Sequence, residues 1–215
     1  MGSQKDIKNA FWNWPRKRCC HLTLPICYDI TDEMKERAEV ESKKREPYIR
    51  HHFDVEHYNS FTRNVIGFLG EFAGCVMLGV DWKTNIRPNY FAIDRLDAAY
   101  HGKRLDIKTE TISEPPFSRV VSRKIHDDEP YGRRLYHTGQ ASLLKKYDII
   151  VFGAIERLEL TDIRKWCPIG WIEADKIRTY PQGQDGPNGI RYPFPAFQVK
   201  TSDLSEISEL LKLKT

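Results

Sequence analysis

With 215 residues, 40% apolar and 12% aromatic, the chain is long enough for one full core and has the composition of a globular domain. No stretch approaches the roughly 18 apolar residues of a membrane span, and residues 1–10 hold no apolar signal core, so an intracellular, cytoplasmic protein is expected. A net charge of +4 permits a polyanionic partner without demanding one.

The first 30 residues read as an irregular arm with an aromatic cluster (Phe11, Trp12, Trp14) and a basic run, Arg16-Lys17-Arg18, packed on the domain or on a second subunit. Thr31 or Asp32 can cap a charged surface helix running to about Glu46, with acids in its first turn and Lys43, Lys44 and Arg45 in its last. Residues 1–50 are thus expected to form an arm and a surface helix, and residues 51–215 a single domain. Five cysteines at irregular spacing, read with an intracellular location, argue for reduced thiols. Cys19, Cys20, His21 and Cys27 lack a C-x2-C spacing, and adjacent cysteines do not easily serve one tetrahedral metal. Cys75 lies in an apolar run and is expected in the core.

From Asp54 or Asn59 to about Val80 the chain predicts a helix that is apolar nearly all round, hence buried. Asn64, Gly67, Glu71 and Gly74 lie on one side of it, so a sheet can approach closely and meet the Glu71 carboxylate. His51, His52 and His57 precede it and can contact phosphate or stand in solvent.

Leu96–Tyr100 and Lys103–Thr109 then alternate around His101-Gly102, a two-residue hairpin turn in which glycine supplies a positive φ. In that register Asp97 faces Asp106 and Ala98 faces Leu105. One face collects Leu96, Ala98, Tyr100, Leu105 and Ile107; the other collects Asp97, Ala99, Arg104, Asp106 and Lys108. Asp94 is the rival first carboxylate, but the register sets it opposite Thr109. Directly opposed carboxylates about 5 Å apart repel by roughly 3 kcal/mol at an effective dielectric near 20. Lys108 offsets part of this, and a hard divalent cation, Mg²⁺ or Mn²⁺, offsets it better.

Residues 110–136 read as a long excursion with a short strand at Arg119–Arg123. Between Phe117 and Lys146 seven basic residues (Arg119, Arg123, Lys124, Arg133, Arg134, Lys145, Lys146) outnumber three acidic ones, with aromatic residues interleaved, so the stretch can follow a phosphate backbone. Gly139–Lys146 predicts a short helix carrying Gln140 and Lys145, and Asp148–Ala154 a buried strand. Pro168–Ile172 predicts another strand, 181–195 a loop and Ala196–Val199 a further strand. Asp203 and Glu206 spell a capping box for a terminal helix. Helix, hairpin, helix and strand in this order point to an α/β fold, a mixed sheet covered by helices.

A Glu in a Gly-rich buried helix (Gly67-Phe68-Leu69-Gly70-Glu71), then Asp97, then Asp106-Ile107-Lys108 at a strand end, resembles the PD-(D/E)XK nuclease superfamily over about Asn59–Gly153. Leu96 stands where the motif's name has Pro, and Asp106 where Glu is commoner. The resemblance implies a restriction-endonuclease-like core. It also implies that Asp97, Asp106 and Glu71 hold Mg²⁺ or Mn²⁺ and that Lys108 assists the attacking water. The function expected is a metal-dependent nuclease, DNA being the first choice of substrate and RNA the alternative. Arg119, Arg123, Lys124, Arg133, Arg134, Gln140 and Lys145 are the expected nucleic-acid contacts. A non-catalytic nucleic-acid-binding or scaffolding protein of the same fold is the rival reading. Cutting both strands of a duplex calls for two active sites, so a homodimer is compatible with the first.

Overall fold

The computed structural model of the chain describes residues 26–48, 58–88, 90 and 96–213. The aromatic arm, Cys19, Cys20, the three histidines before the buried helix and Asp94 lie outside the described residues. The described part is a mixed α/β structure. A five-stranded sheet has the order β1 (Tyr28–Asp29), β6 (Lys165–Glu173), β5 (Ile149–Glu156), β3 (Lys103–Ile112), β2 (Ala98–Tyr100). Its central pair β3–β5 is parallel and the other pairings are antiparallel. A second, antiparallel sheet has the order β4 (Arg133–His137), β8 (Arg191–Lys200), β7 (Gln182–Asp185). No helix among the described residues is long and apolar enough to cross a membrane.

Helix α2 (Ser60–Met77) starts where the Asn59 side chain accepts the N–H of Thr62 at 2.8 Å, and it buries most of its length, as its apolar sequence requires. It packs on the face of β3 that carries Leu105, Ile107 and Thr109. The close approach runs along Gly70 and Gly74. A Cβ at Gly70 would overlap Thr109 Oγ1 and lie 2.7 Å from Thr109 Cβ, and one at Gly74 would press on Ile107. Gly67, which the sequence placed on one stripe with Gly74 in place of Gly70, meets nothing within 4 Å. Thr109 Oγ1 also accepts the Trp166 indole N–H at 3.0 Å, and that ring covers Gly153 of β5. One contact chain therefore runs from α2 through β3 to β6 and β5.

Helix α1 (Asp32–Arg45) is capped by Thr31, which accepts the Met34 N–H at 3.2 Å. It is more than the surface helix its charged sequence suggests: Met34, Ala38, Glu41 and Ser42 are buried. Glu41, fully buried, takes Arg37 and Lys44 at 2.9 Å and the Tyr90 hydroxyl at 2.6 Å. A buried carboxylate is tolerable only with such partners.

The opposite face of the large sheet packs on a second core made with β4, β8 and α3 (Pro116–Val121). Here the sequence reading needs correction. Residues 119–123, expected as a strand, lie in or directly after α3, because Pro116 in the first turn presets a helical φ. Strands β4 and β7 fall within stretches read as loops. The 138–146 helix is present, in 3-10 form. Asp203 belongs to a turn and takes the Tyr180 hydroxyl at 3.1 Å. Glu206 heads the short terminal helix α4 (Ile207–Leu210) with no side-chain cap, so the capping box does not form. Cys27 and Cys167 form a disulfide, against the expectation of free thiols. The β1–β6 register, Tyr28 opposite Trp166, sets these two residues side by side although 140 positions separate them. Cys75 is free and buried, as expected.

The glycine contacts make a paired prediction. Gly70→Ala forces Thr109 to turn away from Trp166 and should destabilise the fold by about 1–3 kcal/mol. Gly67→Ala has room and should stabilise the helix by roughly 0.5–1 kcal/mol. Urea unfolding of the two variants checks this; equal effects would contradict the packing described.

Candidate active site

The hairpin turn places the central residues. His101 (φ 45°) and Gly102 (φ 74°) both adopt positive φ, as a two-residue turn of the I′ type requires. The register is the one read from the sequence, with Ala98 opposite Leu105 and Tyr100 opposite Lys103. Asp97 extends the ladder by one bond, its N–H donating to Leu105 O at 3.0 Å. Its carboxylate then takes the place of the next rung, Oδ2 accepting the Ile107 N–H at 2.8 Å.

On β3, Asp106 and Lys108 point away from α2. Asp106 is 3% exposed. The Lys108 ammonium lies 2.9 Å from each of its carboxylate oxygens, yet Oδ2 is buried without a hydrogen bond of good geometry. The same ammonium lies 5.4 Å from the centre of the Tyr136 ring, which β4 holds fully buried. Lys108 is thus fixed between a carboxylate and an aromatic face. Burial pulls its pKa down, but Asp106 and Asp97 outweigh burial and hold it above the ordinary lysine value.

Asp97 shows the opposite balance. Burial raises its carboxyl well above the usual range; Glu71 and then Asp106 raise it further. Lys108 and the Ile107 N–H oppose this without cancelling it. Arg87 stands 3.7 Å from Asp97 Oδ1 with both side chains 8% exposed. Tyr136 and Tyr147 are raised by burial first and by Asp106 and Asp97 next, so both hydroxyls stay protonated beside the acids.

Of the four residues singled out in the sequence, Asp106 and Lys108 meet directly, and Asp97 is linked to the others through charge, to Glu71 more strongly than to Asp106 or Lys108. Glu71 itself is bonded by Asn85 Nδ2 at 2.9 Å and approached by Arg45 at 3.8 Å. Among the described residues no three His, Cys, Asp or Glu side chains are grouped to hold a metal ion. Sequence reasoning missed Arg87, Asn85 and Tyr147, and it had Tyr136 only as an aromatic residue within the basic stretch. Nothing local marks them, since each is brought in by tertiary packing.

Lys108 opens on a cleft of about 860 Å³ bounded by α2, β3, the start of β4 and the start of β8. Arg63, Arg133, Arg157, Arg191 and His137 line it with Lys108. Glu110 is the one acid among the described lining residues, and it is ion-paired with Arg134. Asp97 and Asp106 lie behind Lys108 and do not line the cleft.

The expected nucleic-acid contacts divide sharply. Arg133 and Gln140 line the cleft, and Lys124 and Lys145 are exposed. Arg119 is held by Glu129 at 2.6 and 2.8 Å. Arg123 donates to Thr201 O and Leu204 O at 3.2 and 2.5 Å, tying down the C-terminal segment. Arg134 cannot meet a phosphate, because alternation in β4 turns it inward. It is fully buried against Glu110 and Tyr131 O, and burial lowers its pKa to about 9.

Comparison with protein-family models, with curated proteins and with solved structures finds no match to the chain.

The raised carboxyl of Asp97 fixes a sign. Its ionised form costs stability above its folded pKa, and the cost disappears as pH falls toward the ordinary value of 3.8. Asp97→Asn should therefore raise the melting temperature at pH 8 by several degrees, about 1 kcal/mol being roughly 2–4 °C for a domain of this size. That gain should shrink toward zero near pH 4. A gain independent of pH would refute the burial and like-charge account.

Proposed function

We propose that the chain is a metal-dependent nuclease of restriction-endonuclease-like fold that hydrolyses phosphodiester bonds, with DNA as substrate. The observation that carries this reading is the Asp106–Lys108 pair on β3 with Asp97 at the edge of the neighbouring strand, where Lys108 opens on a cleft whose charged lining residues are mainly cations. Buried charges are costly to assemble, and a cluster of them beside a cleft marks a functional-site candidate.

Asp97 and Asp106 are the residues that would hold Mg²⁺ or Mn²⁺. Mg²⁺ commonly binds one or two carboxylates and keeps several waters, so two acids suffice and Glu71 need not join them. Asp106 Oδ2 is buried without a hydrogen bond of good geometry, and a cation there would share it with Lys108, 2.9 Å away. A bound divalent ion supplies Lewis-acid stabilisation of the phosphoryl oxygens and makes the attacking water more acidic. Lys108 keeps its proton, so it acts as a fixed positive charge: it orients the water and stabilises negative charge growing on the phosphoryl oxygens. The water oxygen would bond to phosphorus and lose a proton to solvent, the bond to the leaving oxygen would break, and that oxygen would take up a proton from solvent, giving a phosphate monoester and an alcohol. Glu71 contributes its negative charge to Asp97 from beside Asn85 and Arg45.

A second reading rests on a specific observation. Glu71 is engaged by Asn85 and Arg45, and Asp97 is approached by Arg87, so the acids already have cationic or amide partners. A nucleic-acid-binding protein that retains the fold without the chemistry would look the same.

Two measurements separate the readings. With Mg²⁺ or Mn²⁺ the nuclease cuts DNA, does nothing in EDTA, and loses at least about 100-fold in rate in Lys108→Ala, as removal of one charge-stabilising group does elsewhere. Its melting temperature also rises on titration with Mn²⁺, an effect lost in Asp106→Asn. No cleavage of duplex, single-stranded or branched DNA, with no metal-induced rise, would leave the binding reading.

A further inference from the structure

Resting on the reading of the chain as an enzyme of nucleic acid, we propose that the cleft beside Lys108 takes a single-stranded segment, its backbone along the arginines and its bases against the aromatic wall. The volume, about 860 Å³, falls among pockets that enclose a drug-sized ligand. It holds a few nucleotides and does not enclose a duplex, whose major groove alone is about 12 Å wide.

The lining argues the same way. Tyr58, Tyr131 and Phe194 are half-buried in the cleft wall, and the Phe194 ring packs 5.2 Å from that of His137. Rings held in a wall find nothing to stack on in a duplex, where bases cover one another; unstacked bases offer a free face. The segment that carries Phe194 suits this task. Its neighbours Pro193 and Pro195 have no N–H to donate, and residues 192–195 of β8 have no ladder partner in β4 or β7 among the described residues. The strand end therefore presents side chains to the cleft instead of pairing.

Charge completes the match. Arg191 stands at the rim, 73% exposed, with a 3.6 Å contact to a still more exposed Asp185. Such a pair contributes little and yields easily to a phosphate. Arg157 lines the cleft with its Nε buried and without a hydrogen bond. Glu110 would repel a phosphate, but buried Arg134 neutralises it from below.

The test is binding without cleavage. The full chain in EDTA is titrated into fluorescent dT and rU oligomers of about 12 nucleotides, within the usual single-strand site sizes, and into a DNA hairpin duplex of like length. We expect at least one single strand to bind about tenfold or more tighter than the duplex, whose π faces are covered. The salt slope should be about −0.7 per phosphate neutralised. Phe194→Leu, which keeps bulk and removes the ring face, should weaken single-strand binding roughly five- to hundredfold. Arg191→Ala, a surface change that leaves the fold intact, should reduce the salt slope by about one contact. Duplex binding equal to or tighter than both single strands overturns the proposal, as does a normal affinity and slope in both variants. Failure here and failure of the nuclease reading are separable. Metal-dependent cutting of duplex without single-strand preference sinks only this inference; tight single-strand binding without any cutting sinks only the nuclease.

Discussion

Asp97 and Asp106 are held out of water beside Lys108, and the surrounding structure is largely what makes that arrangement tolerable. Desolvating an ion costs several kcal/mol, and two acids of like charge repel as well. Three features offset this. Lys108 bridges the Asp106 oxygens at 2.9 Å, the Ile107 N–H bonds Asp97, and the Tyr136 ring faces the ammonium from the other side. Each depends on a different element, β3, the hairpin and β4, so the group forms only when the two sheets are assembled.

Strand β3 divides the molecule by its alternation. Leu105, Ile107 and Thr109 face α2 and the first core; Asp106, Lys108 and Glu110 face the second core and the cleft. The same strand therefore carries both close packing and the buried charged pair. Thr109, set between Gly70 and Trp166, fixes the β3 backbone next to Lys108, whose ammonium is itself held by Asp106 and the Tyr136 ring.

The sequence made some of this legible and hid the rest for identifiable reasons. The hairpin was readable because turn chemistry and two-face alternation agree on one register, and a slip by one residue would have exposed Leu105 and Ile107. Helix α2 was readable because its apolar character exceeds what a surface helix can carry. The direction of Glu71 was not: Gly67 and Gly70 are both small, and only the position of Thr109 decides which of them the sheet approaches. Residues 133–137 carry two arginines within a stretch punctuated by Pro and Gly, so β4 looked like a basic loop until a partner strand gave it a buried face. Local patterns also could not show that Glu41 of a charged helix would meet Tyr90, or that Cys27 would meet Cys167, since both depend on distant chain crossings.

The cations around the acids offset much of their mutual repulsion. Three carboxylates, Glu71, Asp97 and Asp106, stand with three cations, Arg45, Arg87 and Lys108, so the group is formally neutral among the described residues. The pairings are unequal in strength. Lys108 meets Asp106 at hydrogen-bond distance, whereas Arg45 and Arg87 approach their acids only to 3.8 and 3.7 Å, where attraction persists but no hydrogen bond forms. On the proposed metal-binding reading, a divalent ion would compete with Arg87 for Asp97 Oδ1, where the existing pairing is weaker than that of Asp106 with Lys108. Withdrawal of Arg87 would leave an 8% exposed guanidinium beside the Tyr90 ring, 5.9 Å from its centre, where cation–π attraction retains part of its stabilisation. On that reading, metal affinity and the pairing of Arg87 would be opposed through one oxygen atom, and Arg87 would set how tightly the acids could take an ion.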